Sequence, residues 1–324
     1  MFSGHMTLEN ISGARRAELP IAQSSRLSVE ELKALLTRSD SAGAIRLTEH
    51  LGTLCVTGSL VLYARSTLWL WPAIFLHGYV LSFLFCALHE ATHYTPFRSR
   101  WPNTVLGHFC GFLLLLPFEA FRIFHWNHHR YTQDPARDPE LAQPKAATLW
   151  EYLMHVSGLP NWRTRVTVVG THAVFGRVNQ PWVAVEDHRT IVREARAYVA
   201  GYAIAILISI WLQTAALLWL WVLPAMAGQI FLRNYLLAEH TGCAENTDPY
   251  SNTRTTYTNT FVRFFAWNMP YHVEHHAYPG IPFYLLPLAN ERLRKLIRVG
   301  DPGYLTALRS ITRRLPMVAK PQVH

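Results

Sequence analysis

The sequence is poor in charge: only 16% of its 324 residues are Asp, Glu, Lys or Arg, against about 25% in an ordinary soluble domain. With 50% of residues hydrophobic, that deficit argues for a membrane protein. Cysteine is equally scarce. Cys55, Cys86, Cys110 and Cys243 form no CxxC pair and three of them lie in apolar runs, which excludes a disulfide framework and a thiolate metal site. The first 27 residues carry Arg15, Arg16 and Glu18 and lack an apolar core, so no cleavable signal peptide is expected and the amino terminus is expected to stay in the cytoplasm. No Lys/Arg block accompanies the net charge of +9. Nucleic acid is therefore excluded as a partner, and an anionic membrane surface accounts for the excess. No internal repeat or low-complexity segment is present.

Four stretches are free of Asp, Glu, Lys and Arg: Leu51 to Ala64, Ser66 to His89, Trp101 to Phe118 and Ala197 to Leu232. A spanning helix needs about 20 apolar residues. The last stretch, with 36 residues, suits two spans joined by a turn near Gln213 and Thr214. The first two suit a second hairpin, with Arg65 snorkelling at its turn. Trp101 to Phe118 is interrupted by Pro102, His108, Gly111 and Pro117 and reads as a re-entrant or interfacial pair of short helices. Positive charge supports this layout, because cytoplasmic loops collect Lys and Arg: six precede Leu51, twelve lie between residues 90 and 196, eleven run from Arg233 onwards, and Arg65 alone falls in an outer turn. The expected architecture is an all-α membrane protein with four transmembrane helices in two hairpins and a cytoplasmic helical cap. Its divisions are a cytoplasmic segment 1–48, a membrane domain with cap 49–300, and a tail 301–324. Trp69, Trp71, Trp219 and Trp221 read as an interfacial belt. Before the first span, Ser28 and Glu31 predict a capping box opening an amphipathic turn.

Of 17 histidines, eight fall into three clusters: His89 and His93; His125, His128 and His129; His272, His275 and His276. Helical residues three or four apart share a face, so each cluster can present its imidazoles in one direction. His240, where the fourth span would enter the cytoplasm, is a ninth candidate. His77 stands 12 residues before His89, about 18 Å along a helix, and reads as a packed histidine. Nine nitrogen ligands exceed what one ion accepts, since a tetrahedral zinc site closes with four, so a dimetal site is implied. Imidazole suits iron, copper, nickel and zinc alike; ligand number, open positions and the need for redox chemistry favour iron. Carboxylates commonly accept the other ring N–H of a ligating histidine, a supporting role for which Glu90, Glu239, Glu274, Asp134 and Asp138 are candidates; Asn268 is a candidate for holding a metal-bound water or orienting a ligand. Arg130, Arg137, Arg163 and Arg165 read first as solvated or lipid-facing, with an anionic acyl head group as their natural ligand if one binds substrate.

The order HxxxH, HxxHH, HxxHH, with spans between the second and third boxes, resembles the membrane-bound fatty acid desaturase superfamily, which also includes lipid hydroxylases and carotenoid ketolases. The segments His125-Trp126-Asn127-His128-His129-Arg130-Tyr131-Thr132-Gln133-Asp134-Pro135 and Asn268-Met269-Pro270-Tyr271-His272-Val273-Glu274-His275-His276 resemble bacterial members, and the similarity covers roughly residues 50 to 300. The resemblance implies a four-helix membrane body with a cytoplasmic cap, a centre of two Fe ions held by histidine, O2 as co-substrate and an acyl chain as substrate, desaturated or, in relatives, hydroxylated, converted to a ketone or cut to a terminal alkene. It also implies an integral protein of the bacterial inner membrane with both termini and the active site in the cytoplasm. The haem-binding HPGG segment of a fused cytochrome domain is missing, so a separate electron donor of ferredoxin or cytochrome type, with its reductase, is expected. His89-Glu90-Ala91-Thr92-His93 also satisfies HExxH, the zinc-protease pattern; an intramembrane protease would leave six box histidines unexplained. A non-catalytic metal carrier would place its polar ligands near mid-membrane, whereas these lie at one face.

Overall fold

The computed structural model describes residues 27–143, 145–313 and 315–316; the basic start of the chain and the last residues of the tail lie outside them. Among the described residues the fold consists of helices and loops with one two-residue parallel strand pair. A short helix α1 (Val29–Leu35) opens with Ser28 accepting from the Glu31 amide while the Glu31 carboxylate accepts from the Ser28 amide, the expected capping box. Helix α2 (Asp40–Ala64) follows, capped by Ser39. It begins eleven residues before the charge-free stretch, because composition marks where lipid contact begins and not where the helix begins. Its 25 residues reach about 37 Å.

After a turn through Arg65, α3 (Leu70–Ser82) and α4 (Leu84–Thr92) run almost continuously and carry the first histidine box. Leu70–Thr92 is long and apolar enough to cross a bilayer. Next, α5 (Arg100–Leu113) and α6 (Phe118–Tyr131) are bent by 101° where they meet. Each has 14 residues, about 21 Å, too short for a bilayer core of about 30 Å. Leu115 takes a positive φ of 52° at the corner, and Glu194 caps the new helix through the Glu119 amide at 3.0 Å. Among the described residues, the continuous run and, if unbent, this pair are the two candidates that length and composition offer for a span.

The cap is built from α7 (Leu149–Ser157) and α8 (Leu159–Gly170), joined by Gly158. Gly158 has φ 72°, and a Cβ there would strike the Gln229 side chain, so both its conformation and its neighbour require glycine. Helix α9 (His188–Trp211) ends in a turn at Gln213, φ 49°, at the point expected from the 36-residue run. The return passes through a π-helical segment, Leu218–Val222, then α10 (Leu223–Ala227) and α11 (Gln229–His240). Gly78 of α3 meets the Pro224 carbonyl, and Gly228 meets Gly78 and Ser82: α3 and the α10–α11 junction cross backbone against backbone, as small residues allow. His77 fastens the same crossing, with Nδ1 2.8 Å from Thr57 Oγ1 and Nε2 3.0 Å from the Leu220 carbonyl. It is a packed histidine, satisfied at both nitrogens.

The remaining elements are short: α12 (Pro249–Asn252), α13 (Thr260–Phe265), α14 (His272–Ala277), α15 (Leu286–Leu293) and α16 (Tyr304–Thr312). Strand β1 (Thr255–Thr256) pairs in parallel with β2 (Gly300–Asp301). A six-residue helix such as α14 cannot hold itself. Its Glu274 accepts from Thr255 Oγ1 at 2.6 Å and from Asn290 Nδ2, and Arg254, beside β1, pairs with Asp301 at 2.8 Å. The carboxyl-terminal elements therefore clamp the third box.

Candidate metal centre

The three boxes and His240 meet in one buried place. Box one lies at the inner end of α4, box two on α6, box three on α14, and His240 ends α11. Each helical spacing does what it predicts: His125 and His129, one turn apart, bring their Nε2 atoms within 3.0 Å.

The nine imidazoles fall into two groups. In the first, His89, His93, His125, His129 and His275 each offer one nitrogen within 4.8 Å of all the others. Their Nε2 atoms form a series: His93 to His125 2.8 Å, His125 to His129 3.0 Å, His129 to His275 3.1 Å. In the second, His128, His240 and His276 converge in the same way, and His272 joins through His240, Nε2 to Nε2 at 3.2 Å. His128 and His240 are also 3.2 Å apart at Nε2. Metal–imidazole bonds of about 2.0–2.1 Å set neighbouring ligand nitrogens roughly 2.9–3.4 Å apart in tetrahedral or octahedral geometry. The observed separations match that edge length closely. Among the described residues the buried Nε2 of His276, on the converging side of its group, has no hydrogen-bond partner, a cost that ion binding removes. The donor set therefore fits two metal ions.

Electrostatics keep these rings ready to ligate. Burial first, then neighbouring imidazoles, hold His125, His129, His272, His275 and His276 well below the ordinary histidine range, so their lone pairs are free at neutral pH. His128 is the exception: burial pulls it down, but Glu140 and Asp138 outweigh that and raise it.

The supporting groups sort clearly. Asp138 Oδ1 accepts from His128 Nδ1 at 2.9 Å, while its other oxygen accepts from the Gln133 amide at 2.8 Å. Glu239 stands 3.5 Å from His272 Nδ1, and Glu90 stands 4.0 Å from His275 Nδ1. Glu90 Oε2 is held by Thr95 at 2.7 Å and by the Phe283 amide at 3.1 Å, so the glutamate of the HExxH pattern is fixed as a structural acceptor. Glu274 faces Thr255 and Asn290 instead of a box imidazole. Asp134 turns outward to Arg137, 2.7 Å from its Nε. Asn268, with φ 55°, donates to the carbonyl of Phe283 at 3.1 Å, the residue whose amide holds Glu90.

Three contacts escape sequence reasoning. His240 Nδ1 is 3.2 Å from the Asn252 carbonyl, a main-chain acceptor with no side-chain signature. Thr132 Oγ1 is 3.2 Å from His276 Nδ1. Glu140 is 3.7 Å from His128 Nδ1; its place two residues after Asp138 was the available signal.

A helical body that gathers nine buried or half-buried imidazoles into two groups at metal-ligand spacing is a framework suited to a histidine-held pair of metal ions. The comparisons with known proteins specify it: the fatty acid desaturase family matches residues 66–307, and the chain belongs to that family. It is 26% identical over 245 residues to an sn-1 oleoyl-lipid 12-desaturase of Picosynechococcus sp., covering 69% of each chain. It is 28% identical over 279 residues to a dihydrorhizobitoxine desaturase of Bradyrhizobium elkanii, covering 78% of this chain and 72% of that one. A sphingolipid delta(4)-desaturase of Komagataella phaffii is 25% identical over 212 residues, 63% of this chain and 56% of the other. The protein is thus an enzyme of membrane desaturase type; the family is membrane-bound and in general depends on two irons.

Proposed function

We propose that this enzyme introduces a double bond into the acyl chain of a lipid, using O2 and two irons held by His89, His93, His125, His129 and His275 on one side and by His128, His240, His272 and His276 on the other. The observation that carries this reading is the convergence of nine imidazoles into two groups at metal-ligand spacing. Such a pair of ions supplies the electrons for splitting oxygen and the oxidising power that an unactivated methylene requires. The protein's part is positional. Asp138 holds the His128 Nδ1 proton, and Glu239 and Glu90 face those of His272 and His275, fixing which nitrogen of each ring points at the ions. The buried surroundings of Phe85, Leu88 and Phe121 keep bulk water from the site, and substrate placement of a few ångströms selects the methylene. In cells expressing the enzyme, mass spectrometry of extracted lipids is expected to find acyl chains short of two hydrogens, absent with His128→Ala. Gain of one oxygen would reassign the reaction to hydroxylation; exchange of two hydrogens for one oxygen would reassign it to ketone formation.

The same reading places α2, the α3–α4 run, α9 and the α10–α11 return across the inner membrane as two hairpins, with both termini and the centre cytoplasmic. Because α5 and α6 turn back at Leu115, the chain re-enters the side it left, which the meeting of the three boxes requires. Single cysteines near Arg100, Pro139 and Asn252 are expected to label from the cytoplasm, and cysteines at the Arg65 and Gln213 turns from outside only. External labelling near Pro139 would turn the bent pair into a true span and refute the layout.

A further inference from the structure

Away from the centre, an apolar groove of about 680 Å³ lies between α8, α9 and the return to α11, lined by Trp162, Val166, Tyr202, Ile206, Trp221 and Val222 among others. Its volume is that of a lipid- or drug-sized site. Val166, Ile206 and Val222 are 59%, 54% and 45% exposed, so the groove opens on the surface that faces lipid. From Tyr202 to Ile210 it follows α9 for eight residues, about 12 Å.

One end of this groove is cationic and rich in unused donors. Arg165, next to the lining residues on α8, is 92% buried on the complement of its 8% exposure, and Arg233 on α11 is similarly buried. Arg165 gives one N–H to the Leu114 carbonyl at 2.6 Å and lies 5.7 Å from the Trp162 ring centroid. Arg233 gives Nε–H to Gln229 Oε1 at 3.1 Å. Among the described residues neither guanidinium has a carboxylate within 4.0 Å, whereas the other close charge pairs do. Gln229, which holds Arg233, packs against Gly158 at the start of α8, one turn before Trp162, whose ring lies beside Arg165, so both cations belong to the α8–α11 seam. Beside them the buried Trp162 Nε1 and Asn161 Nδ2 have no acceptor. Two buried cations, neither with a carboxylate within 4.0 Å and only Arg233 within reach of a more distant one, Glu140, form with two orphan donors an environment that an anion satisfies well.

From this juxtaposition we infer that the groove is a binding site for an anionic phospholipid of the cytoplasmic leaflet, with its phosphate between Arg165, Arg233 and Trp162 Nε1 and one acyl chain along α9. Guanidinium is the side chain best matched to phosphate oxygens, and the apolar groove continues from that point into the depth a lipid tail occupies. No box histidine lines the groove, so this lipid is a bound companion and not the chain being oxidised; the inference goes beyond the proposed reaction and rests only on the proposed membrane layout.

Native mass spectrometry of the detergent-solubilised full chain, titrated separately with phosphatidylglycerol, phosphatidylcholine and palmitate, tests it without any activity readout. Phosphatidylglycerol is expected to bind at least about tenfold more tightly than phosphatidylcholine, Arg165→Gln and Arg233→Gln to remove that preference, and Arg163→Gln, at an exposed neighbour, to preserve it. Equal binding of the two phospholipids, unchanged binding by Arg165→Gln, or a preference for palmitate would overturn the assignment. Should Arg165→Gln fail to fold, the double variant Val166→Trp with Ile206→Trp fills the groove at exposed positions and leaves both cations in place. Its phosphatidylglycerol binding is expected to fall about tenfold, and full retention would overturn the site.

Discussion

Purified enzyme is expected to contain close to two irons per chain, and alanine at His89, His128 or His275 to reduce product formation below about one thousandth of the parent, a loss of more than about 4 kcal/mol of transition-state stabilisation. The size of the effect follows from the geometry. Each of these rings belongs to a pocket in which ligand nitrogens already lie 2.8 to 3.2 Å apart, so removing one opens the coordination of an ion the chemistry needs. Asp138→Ala acts one layer further out: it removes the acceptor 2.9 Å from His128 Nδ1 and leaves the ligating nitrogen. Its expected cost is about 10–100-fold in metal affinity, read by competition with a chelator. Insertion into the membrane is expected to survive in all four variants, since it depends on the apolar helices. One tightly held zinc with no iron would defeat the two-iron reading, and failure of all three histidine variants to insert would give those residues a structural role.

The second large effect concerns electrons. The sequence carries no CxxC pair and no HPGG segment, while each turnover of an O2-dependent desaturation consumes two external electrons. Enzyme, substrate and oxygen alone are expected to stop after at most one turnover. Adding a ferredoxin- or cytochrome-type donor with its reductase is expected to restore cycling. Arg130, Arg137, Arg163, Arg177, Arg189 and Arg193 are exposed, mostly on the segment between the second box and α9, and present an acidic protein with a positive surface. The rate at limiting donor is therefore expected to fall as salt screens the encounter, while the rate at saturating donor changes less. Sustained turnover with no reductant or partner would exclude an oxidative mechanism.

Much of this site was legible because eight of the 17 histidines gather into three clusters whose spacing is helical. Intervals of three and four residues on α4 and α6 dictate a shared face whatever the rest of the fold does, and His240 announced itself by its place at the end of an apolar run. The turn at Gln213 was legible for a similar reason, since 36 uncharged residues exceed one bilayer. Other features depend on contacts that no local pattern carries. Asn268 looked close to the third box in sequence, yet its side chain reaches Phe283 and supports Glu90 on another helix. Asp134 and Asp138 follow the second box at similar distances, and only a tight turn through Gln133, φ 61°, decides that Asp138 faces inward. The start of α2 at Asp40 was hidden because helix continuity leaves no mark on hydropathy when its first turns are polar. Main-chain acceptors such as the Asn252 carbonyl are invisible in principle.

The third box sits on a helix of six residues held by elements still later in the chain, and 179 positions separate it from His93. At translation speeds of about 5–20 residues per second, roughly 9–36 s pass between synthesis of the first box and the third. During that interval six or fewer of the nine imidazoles are present, and Asn290 and Asp301, which help to clamp α14, are not yet synthesised. Neither group is complete before residue 275 has been made. Under the proposed two-iron reading, metal loading follows synthesis of the third box, and until then α14 is held by protein contacts such as those of Glu274 with Thr255 and Asn290.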